Sequence, residues 1–288
     1  MKPGDEEAAR DRSGLRDVAA GEPHGGDAEK TARAALWTSS IASFTTPFMS
    51  SGISVALPDI AREFHMSAVT LGWVAGAYLL AAAIFLLPFG RLADIHGRKR
   101  FFSAGLVVHS LACLFLAFSS GTPFLLVMRV VQGIGGGMIF GTSVAILVSA
   151  TPPRRRGRVL GINAAAVYLG LTLGPALGGF LTHAFGWRSI FLLTAIVGLA
   201  TAGAVWRLLE REWAEARGER FDAWGAVVYS LALTGVMLGF SFLPHPEGVA
   251  LIVAGAAAFA IFLALESHTA HALLPMAMFR SNRVFTFS

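Results

Sequence analysis

Phe124-Leu125-Leu126-Val127-Met128-Arg129-Val130-Val131-Gln132-Gly133-Ile134-Gly135-Gly136-Gly137-Met138-Ile139-Phe140-Gly141 opens a run that stays apolar as far as Ala150, with a single charge in it, Arg129. At ~1.5 Å per helical residue, Phe124–Ala150 reaches about 40 Å, more than the ~30 Å of a hydrocarbon layer. Arg129, Gly133, Gly137 and Gly141 recur every four residues. A step of four drifts only about 40° around a helix, so the four share one face. Gln132 lies one turn from Arg129 on nearly the same side. Glycines on a face let a second backbone close in, and a guanidinium on that face points into protein rather than lipid. A buried arginine needs partners or water, and we expect it beside a crevice.

Working outward, seven more apolar runs appear. Together the eight lie near Ala35–Pro58, Ala68–Phe89, Phe101–Ser120, Phe124–Ala150, Val159–His183, Trp187–Trp206, Trp224–Leu243 and Val249–Leu265. The last is short for a bilayer. Continuous runs without alternation predict helices rather than a barrel. Composition agrees: 55% of the 288 residues are hydrophobic and 14% charged, against about 25% charged in soluble domains. Lipid is therefore the expected partner for most of the surface. The basic balance of +5 does not imply nucleic acid, because the basic residues sit in short loops rather than on one face. With one cysteine, Cys113, neither a disulfide nor a metal framework is expected.

The loops fix an orientation. Six Lys or Arg lie in residues 1–34, four in 90–100, four in 151–158, four in 207–221 and two after 267. The opposite side holds only Arg62 and Arg188. The positive-inside rule then places both termini in the cytoplasm, which requires an even number of spans. Residues 1–34, rich in charge, Gly and Pro, read as a disordered cytoplasmic tail. Residues 35–206 read as a six-span bundle and 222–267 as a two-span pair. Between them, Leu208, Leu209 and Trp213 among charges in 207–221 predict an amphipathic helix on the headgroups.

A second glycine series stands in the fifth run, at Gly170, Gly174 and Gly178, and Pro175 within it predicts a bend. Gly90-Arg91-Leu92-Ala93-Asp94-Ile95-His96-Gly97-Arg98-Lys99-Arg100 resembles the signature loop of the major facilitator superfamily. Arg129-Val130-Val131-Gln132-Gly133-Ile134-Gly135 resembles that superfamily's fourth-span motif. Gly161, Gly170 and Gly174-Pro175-Ala176-Leu177-Gly178-Gly179 are similar to the fifth-span motif of its proton-coupled antiporters. Trp187-Arg188-Ser189-Ile190-Phe191 resembles the start of the sixth span. Asp222-Ala223-Trp224-Gly225 is similar to the start of the seventh in the fourteen-span drug:proton antiporter branch.

The resemblance covers roughly residues 36–285. It implies an all-α integral membrane fold, the six-helix amino-terminal bundle plus two further spans, the second bundle missing. It implies that Gly90, Asp94, Gly97 and Arg98 belong to a cytoplasmic latch between two halves, and that Arg129 and Gln132 lie near a proton pathway. Gly133, Gly137, Gly141, Gly161, Gly170, Gly174, Pro175, Gly178 and Gly179 would serve helix packing and bending. The implied activity is proton-coupled efflux of drug-like molecules, as in multidrug resistance, across the plasma membrane. No cofactor is implied.

The chain departs from that pattern at Met49, seven residues before Ala56-Leu57-Pro58, where the branch carries an aspartate, and at Ile95, where it carries a basic residue. Asp59 and Asp222 read as helix boundaries, and His109 and His183 as structural. Residues 268–288 read as a cytoplasmic segment approaching a ninth span. Rocking transporters need two bundles around a midplane site. We therefore expect a longer chain, a complementary half or a homodimer to complete the substrate path. Failing that, the expectation is a non-transporting half that acts as an interaction or assembly subunit. An enzyme is not expected: no phosphate-binding Gly-x-x-x-x-Gly-Lys-Ser/Thr loop and no His-Glu-x-x-His occurs.

Overall fold

The computed structural model describes residues 25–267 and Leu273. Among these, eight long helices follow one another with short connections: α1 Gly25–Phe64, α2 Ala68–His96, α3 Arg98–Ala117, α4 Thr122–Ala150, α5 Arg156–Phe185, α6 Arg188–Leu208, α7 Ala223–Ser241 and α8 Pro246–Glu266. A single 3₁₀ turn, Pro153–Arg155, precedes α5.

Seven of them, α2 to α8, are long and apolar enough to cross a membrane. The span read as short gains a turn at its start and becomes a 21-residue helix. Helix α1 falls outside that group because its middle is studded with hydroxyls. Thr38, Thr45, Thr46 and Ser51 turn back to the carbonyls of Ala34, Ile41, Ala42 and Pro47 at 2.7–2.9 Å. The bonds hide their polarity within the helix. Ser39 instead reaches the carbonyl of Ser143 in α4 at 3.2 Å.

Two expectations need correction. Residues 25–34, read as disordered, are the first turns of α1. Their last residue, Ala34, packs with the adjoining Ala35 in the cluster of Leu106, Ile146 and Val205. Residues 209–222 form no helix; they are extended or turned. Acidic side chains there meet arginines of the 90–100 loop, so the segment lies on protein. The readings of residues 1–24 and, apart from Leu273, of 268–288 lie outside the described residues.

Within the first six helices, the main interfaces are α1 with α5, α2 with α4, α3 with α4, α3 with α6, α1 with α6 and α1 with α4. Exchanging α1–α3 for α4–α6 maps each of these onto another of them or onto itself. The bundle therefore has an internal twofold pattern, although its two halves differ in sequence. Both tightest interfaces are made by the glycine series. On α4, a Cβ at Gly133 would stand 2.5 Å from the Tyr78 carbonyl oxygen, and one at Gly137 2.9 Å from that of Ala82. On α5, a Cβ at Gly178 would stand 2.6 Å from Gly52 Cα. Gly90 faces Gly141 across α2 and α4. Gly161 is different: it is exposed, and nothing lies within 4 Å of where its Cβ would be. It does not pack one helix on another as expected, because it faces away from α1. Gly179 has only Val55, at 3.6 Å. Pro175 lies inside α5, which runs on unbroken to Phe185.

Candidate functional site

Arg129 sits two turns into α4, on the glycine face that α2 and α1 cover. It is the largest wholly buried side chain among the described residues, at 0% exposure. Its Nε donates to the Val74 carbonyl at 2.5 Å and its Nη1 to Gln132 Oε1 at 2.6 Å. The guanidinium carbon lies 4.8 Å from the centre of the Tyr78 ring, a cation–π arrangement. Nη1 also approaches Met49 Sδ at 3.5 Å. Nη2 has no hydrogen-bond partner among the described residues. No carboxylate among them pairs with it. The charge is carried by a carbonyl dipole, an amide and a ring face.

Gln132 completes the arrangement. Its Nε2 donates to Cys113 Sγ at 2.9 Å and reaches Met49 Sδ at 3.6 Å. Its backbone carbonyl lies 3.3 Å from His109 Nδ1. His109, mid-helix in α3, stacks edge-on against Tyr78. The hydroxyl of Tyr78 and His109 Nε2 have no hydrogen-bond partner among the described residues. Four helices thus bring Met49, Tyr78, His109, Cys113, Arg129 and Gln132 into one buried polar cluster. The expected crevice is absent around it: Arg129 and Gln132 are wholly enclosed in packed protein. The reason is the close seating of α2 on Gly133 and Gly137, which brings Tyr78 over the guanidinium.

The signature loop is a second constellation. Gly97, at φ +124°, separates α2 from α3, a backbone shape that side chains disfavour. A Cβ there would also meet the Glu212 carboxyl group at 2.5 Å. Arg98, 7% exposed, donates to Asp94 at 2.6 Å, to Ser149 at 2.6 Å and to both carboxylate oxygens of Glu215 at 2.6 and 3.0 Å. Arg91 pairs with Glu219 at 2.6 Å, and Arg100 with Glu212 at 3.6 Å. Backbone bonds join them. The Arg98 N–H donates to the Trp213 carbonyl at 2.8 Å, the Lys99 N–H to Glu212 at 2.8 Å and the Ala216 N–H to the Asp94 carbonyl at 2.9 Å. Asp94 and Arg98 are therefore engaged with a strap, residues 209–222, from their own chain. Hydrogen bonding to Arg98 holds the Glu215 carboxyl below its ordinary range. The sequence signal was available: Glu212, Glu215 and Glu219 face a basic loop. These acids meet the arginines of that loop rather than headgroups.

At the opposite end, Arg188 grips Glu63 with two bonds, at 2.6 and 2.8 Å, while Trp187 Nε1 donates to the same carboxylate at 2.8 Å. Arg188 also lies over the Trp187 ring at 4.3 Å. This clamp ties the end of α1 to the start of α6. Its hydrogen bond to Arg188 holds Glu63 below the usual carboxylate range in spite of partial burial. Of the two aspartates read as boundaries, Asp222 caps α7 by accepting from the Gly225 N–H at 2.9 Å, whereas Asp59 pairs with Arg62 inside α1. His183 is exposed.

Seven helices long and apolar enough to cross a membrane, packed around a buried arginine on a glycine face, define a class, the multi-pass helical membrane proteins. The pattern of the Major Facilitator Superfamily matches residues 39–279, and the chain belongs to that family. Among curated relatives, it is 30% identical to the multidrug resistance protein Stp of Mycobacterium tuberculosis, over 79% of this chain and 43% of that protein. It is 30% identical to the tetracenomycin C resistance and export protein of Streptomyces glaucescens, over 80% and 44%. It is 36% identical to the cephamycin export protein CmcT of Amycolatopsis lactamdurans, over 73% and 44%. The chain spans about half the length of the curated relatives it matches.

Proposed function

We propose that this chain is the amino-terminal portion of a secondary exporter of drug-like or lipophilic small molecules, coupled to protons. The observation that carries the reading is Arg129. A wholly buried guanidinium with an unbonded nitrogen is costly in the membrane interior, and packing alone gives no reason to keep it. It sits on the α2–α4 glycine interface, where a small slide of either helix opens or closes its surroundings. The exporters among the relatives support the same direction of transport. The distribution of Lys and Arg supports cytoplasmic termini in the plasma membrane. Protease added to intact cells should then spare the 90–100 and 151–158 loops, and cleavage there would reverse the topology.

The test is efflux of a fluorescent lipophilic cation from cells that carry this chain together with a second bundle, fused or as a separate half. Export that stops on addition of a protonophore is expected. Arg129→Met should abolish it while leaving membrane insertion unchanged. Full export by that variant would remove Arg129 from the mechanism.

Met49 favours a second reading. It fills the position beside Arg129 with a thioether, so no carboxylate of the described bundle lies against the guanidinium to carry a proton. On that reading the chain is a non-transporting partner, or works only as a homodimer. Mass measurement of the intact protein in mild detergent separates the cases. A stable homodimer or a complex with a complementary half keeps transport open, and a monomer that captures neither supports the partner role.

A further inference from the structure

Four arginines cluster where α4 gives way to α5: Arg154 and Arg155 between the helices, and Arg156 and Arg158 in the first turn of α5. The structure shows a cleft of about 880 Å³ around them, bounded by the start of α1, the end of α4 and the start of α5. Arg33, Arg154, Arg155, Arg156 and Arg158 line it. Glu29 is the one acid in the lining; it reaches Arg155 at 3.7 Å, with both side chains well exposed. Such a pair neutralises little. Arg33, Arg154 and Arg158 meet no carboxylate among the described residues. The contrast with the neighbouring loop is sharp, since Arg91, Arg98 and Arg100 each have an acidic partner there.

The lining has two parts. Beside the arginines, Leu36, Val159 and Ile162 also line it, the last two on α5, a helix apolar enough to cross a membrane. The cleft therefore lies where headgroups give way to acyl chains. Guanidinium groups suit phosphate oxygens because their planar fork can donate two parallel bonds. The volume is in the range of sites for small molecules, about 300–1,000 Å³. A free phosphate would satisfy the arginines and leave the apolar strip unused, and a neutral lipid would do the reverse.

We propose that this cleft binds an anionic phospholipid, its phosphate held among Arg154, Arg155 and Arg158 and its chain laid along Leu36 and Ile162. Ser149, which also lines the cleft, bonds both Arg98 and Glu215. The lipid would thus sit one side chain from the strapped signature loop.

The test uses the whole chain in a neutral detergent, with intact-protein mass measurement after addition of phosphatidylglycerol, phosphatidylcholine, or inorganic phosphate alone. Phosphatidylglycerol should be retained at least tenfold better than phosphatidylcholine, and the preference should collapse at high salt. Arg154→Gln, Arg155→Gln and Arg158→Gln combined should reduce retention tenfold or more. The same three positions changed to Lys should keep most of it. Removing equal charge from the strap, by Arg211→Gln, Arg217→Gln and Arg220→Gln, should leave it unchanged. Equal retention of both lipids would overturn the proposal. So would an equal loss from the strap variant, which would indicate general charge attraction. Phosphate binding as tight as phosphatidylglycerol would overturn the lipid assignment in favour of a soluble anion. Should the Gln variant lose helix content, the lipid preference and its salt response in the unaltered chain decide the matter.

Discussion

Met49 and Arg129 are the pair that decides what the buried cluster does. A thioether 3.5 Å from a guanidinium gives it little charge compensation. Met49→Asp would supply a carboxylate at that place. We predict that Met49→Asp is tolerated with Arg129 present, and that Met49→Asp with Arg129→Met is not, since a lone buried carboxylate remains. A double-mutant cycle on thermal unfolding should show a coupling of about 3 kcal/mol; additive effects would mean that the two side chains do not meet. Arg129 itself was legible. Its four-residue spacing from Gly133 places it on the protein-facing side, and the structure agrees. Its partners were not legible, because the Val74 carbonyl and the Tyr78 ring come from another helix, and no local pattern encodes which turn of α2 lies opposite. Nor was the enclosure: a buried charge suggests water, and here a ring and a carbonyl take water's place.

At the scale of elements, the two glycine series differ from the lone glycines beside them. Gly178→Ala places a methyl against the backbone of Gly52, which cannot rotate away. We expect a loss of about 1–3 kcal/mol and partial separation of α1 from α5. Gly161→Ala has open space and should be neutral or raise stability by up to about 1 kcal/mol. Equal effects at the two sites, read from thermal unfolding in detergent, would contradict the interface. The spacing of the series foretold close packing, but Gly161 shows its limit, since a motif glycine can face outward.

The strap carries the pH dependence. Glu215 has its carboxyl pKa lowered in the folded protein. Its contribution is therefore present above the ordinary carboxylate range and lost as pH falls through the folded pKa. Protection of the Ala216 N–H against hydrogen exchange, corrected for intrinsic rate, should hold at pH 6 and fall below pH 4. Glu215→Gln should show the low-pH protection already at pH 6, and unchanged protection in that variant would show that the backbone bonds hold the strap without the ion pair. The strap's acids were visible in the sequence; their direction was not, because three arginines one loop away compete with headgroups for the same charges.

For the molecule as a whole, apolar periodicity revealed seven of the eight long helices as bilayer-crossing. The first, also expected as a span, runs the length of the bundle but carries too many hydroxyls to reach the same hydropathy, and α4, α5 and α6 cover it. The exchange pattern relating α1–α3 to α4–α6 was invisible in the sequence, because it resides in which faces meet and not in which residues recur. By that exchange α2 and α5 are counterparts, and both turn apolar side chains outward. Leu79 on α2 is 53% exposed, and Tyr168 and Phe180 on α5 are 68% and 62% exposed. These faces are where lipid or a further bundle would lie.

The pair α7 and α8 stands apart from that pattern. Gly239 and Gly248, and Gly235 and Gly255, bring the two backbones together along their length. The bundle meets the pair chiefly through α2, where Tyr229 donates to the Ala83 carbonyl at 3.0 Å. A zipped hairpin with so narrow an attachment is a cassette: a gene could acquire or shed it in one step, and the six helices before it would keep their own seams intact.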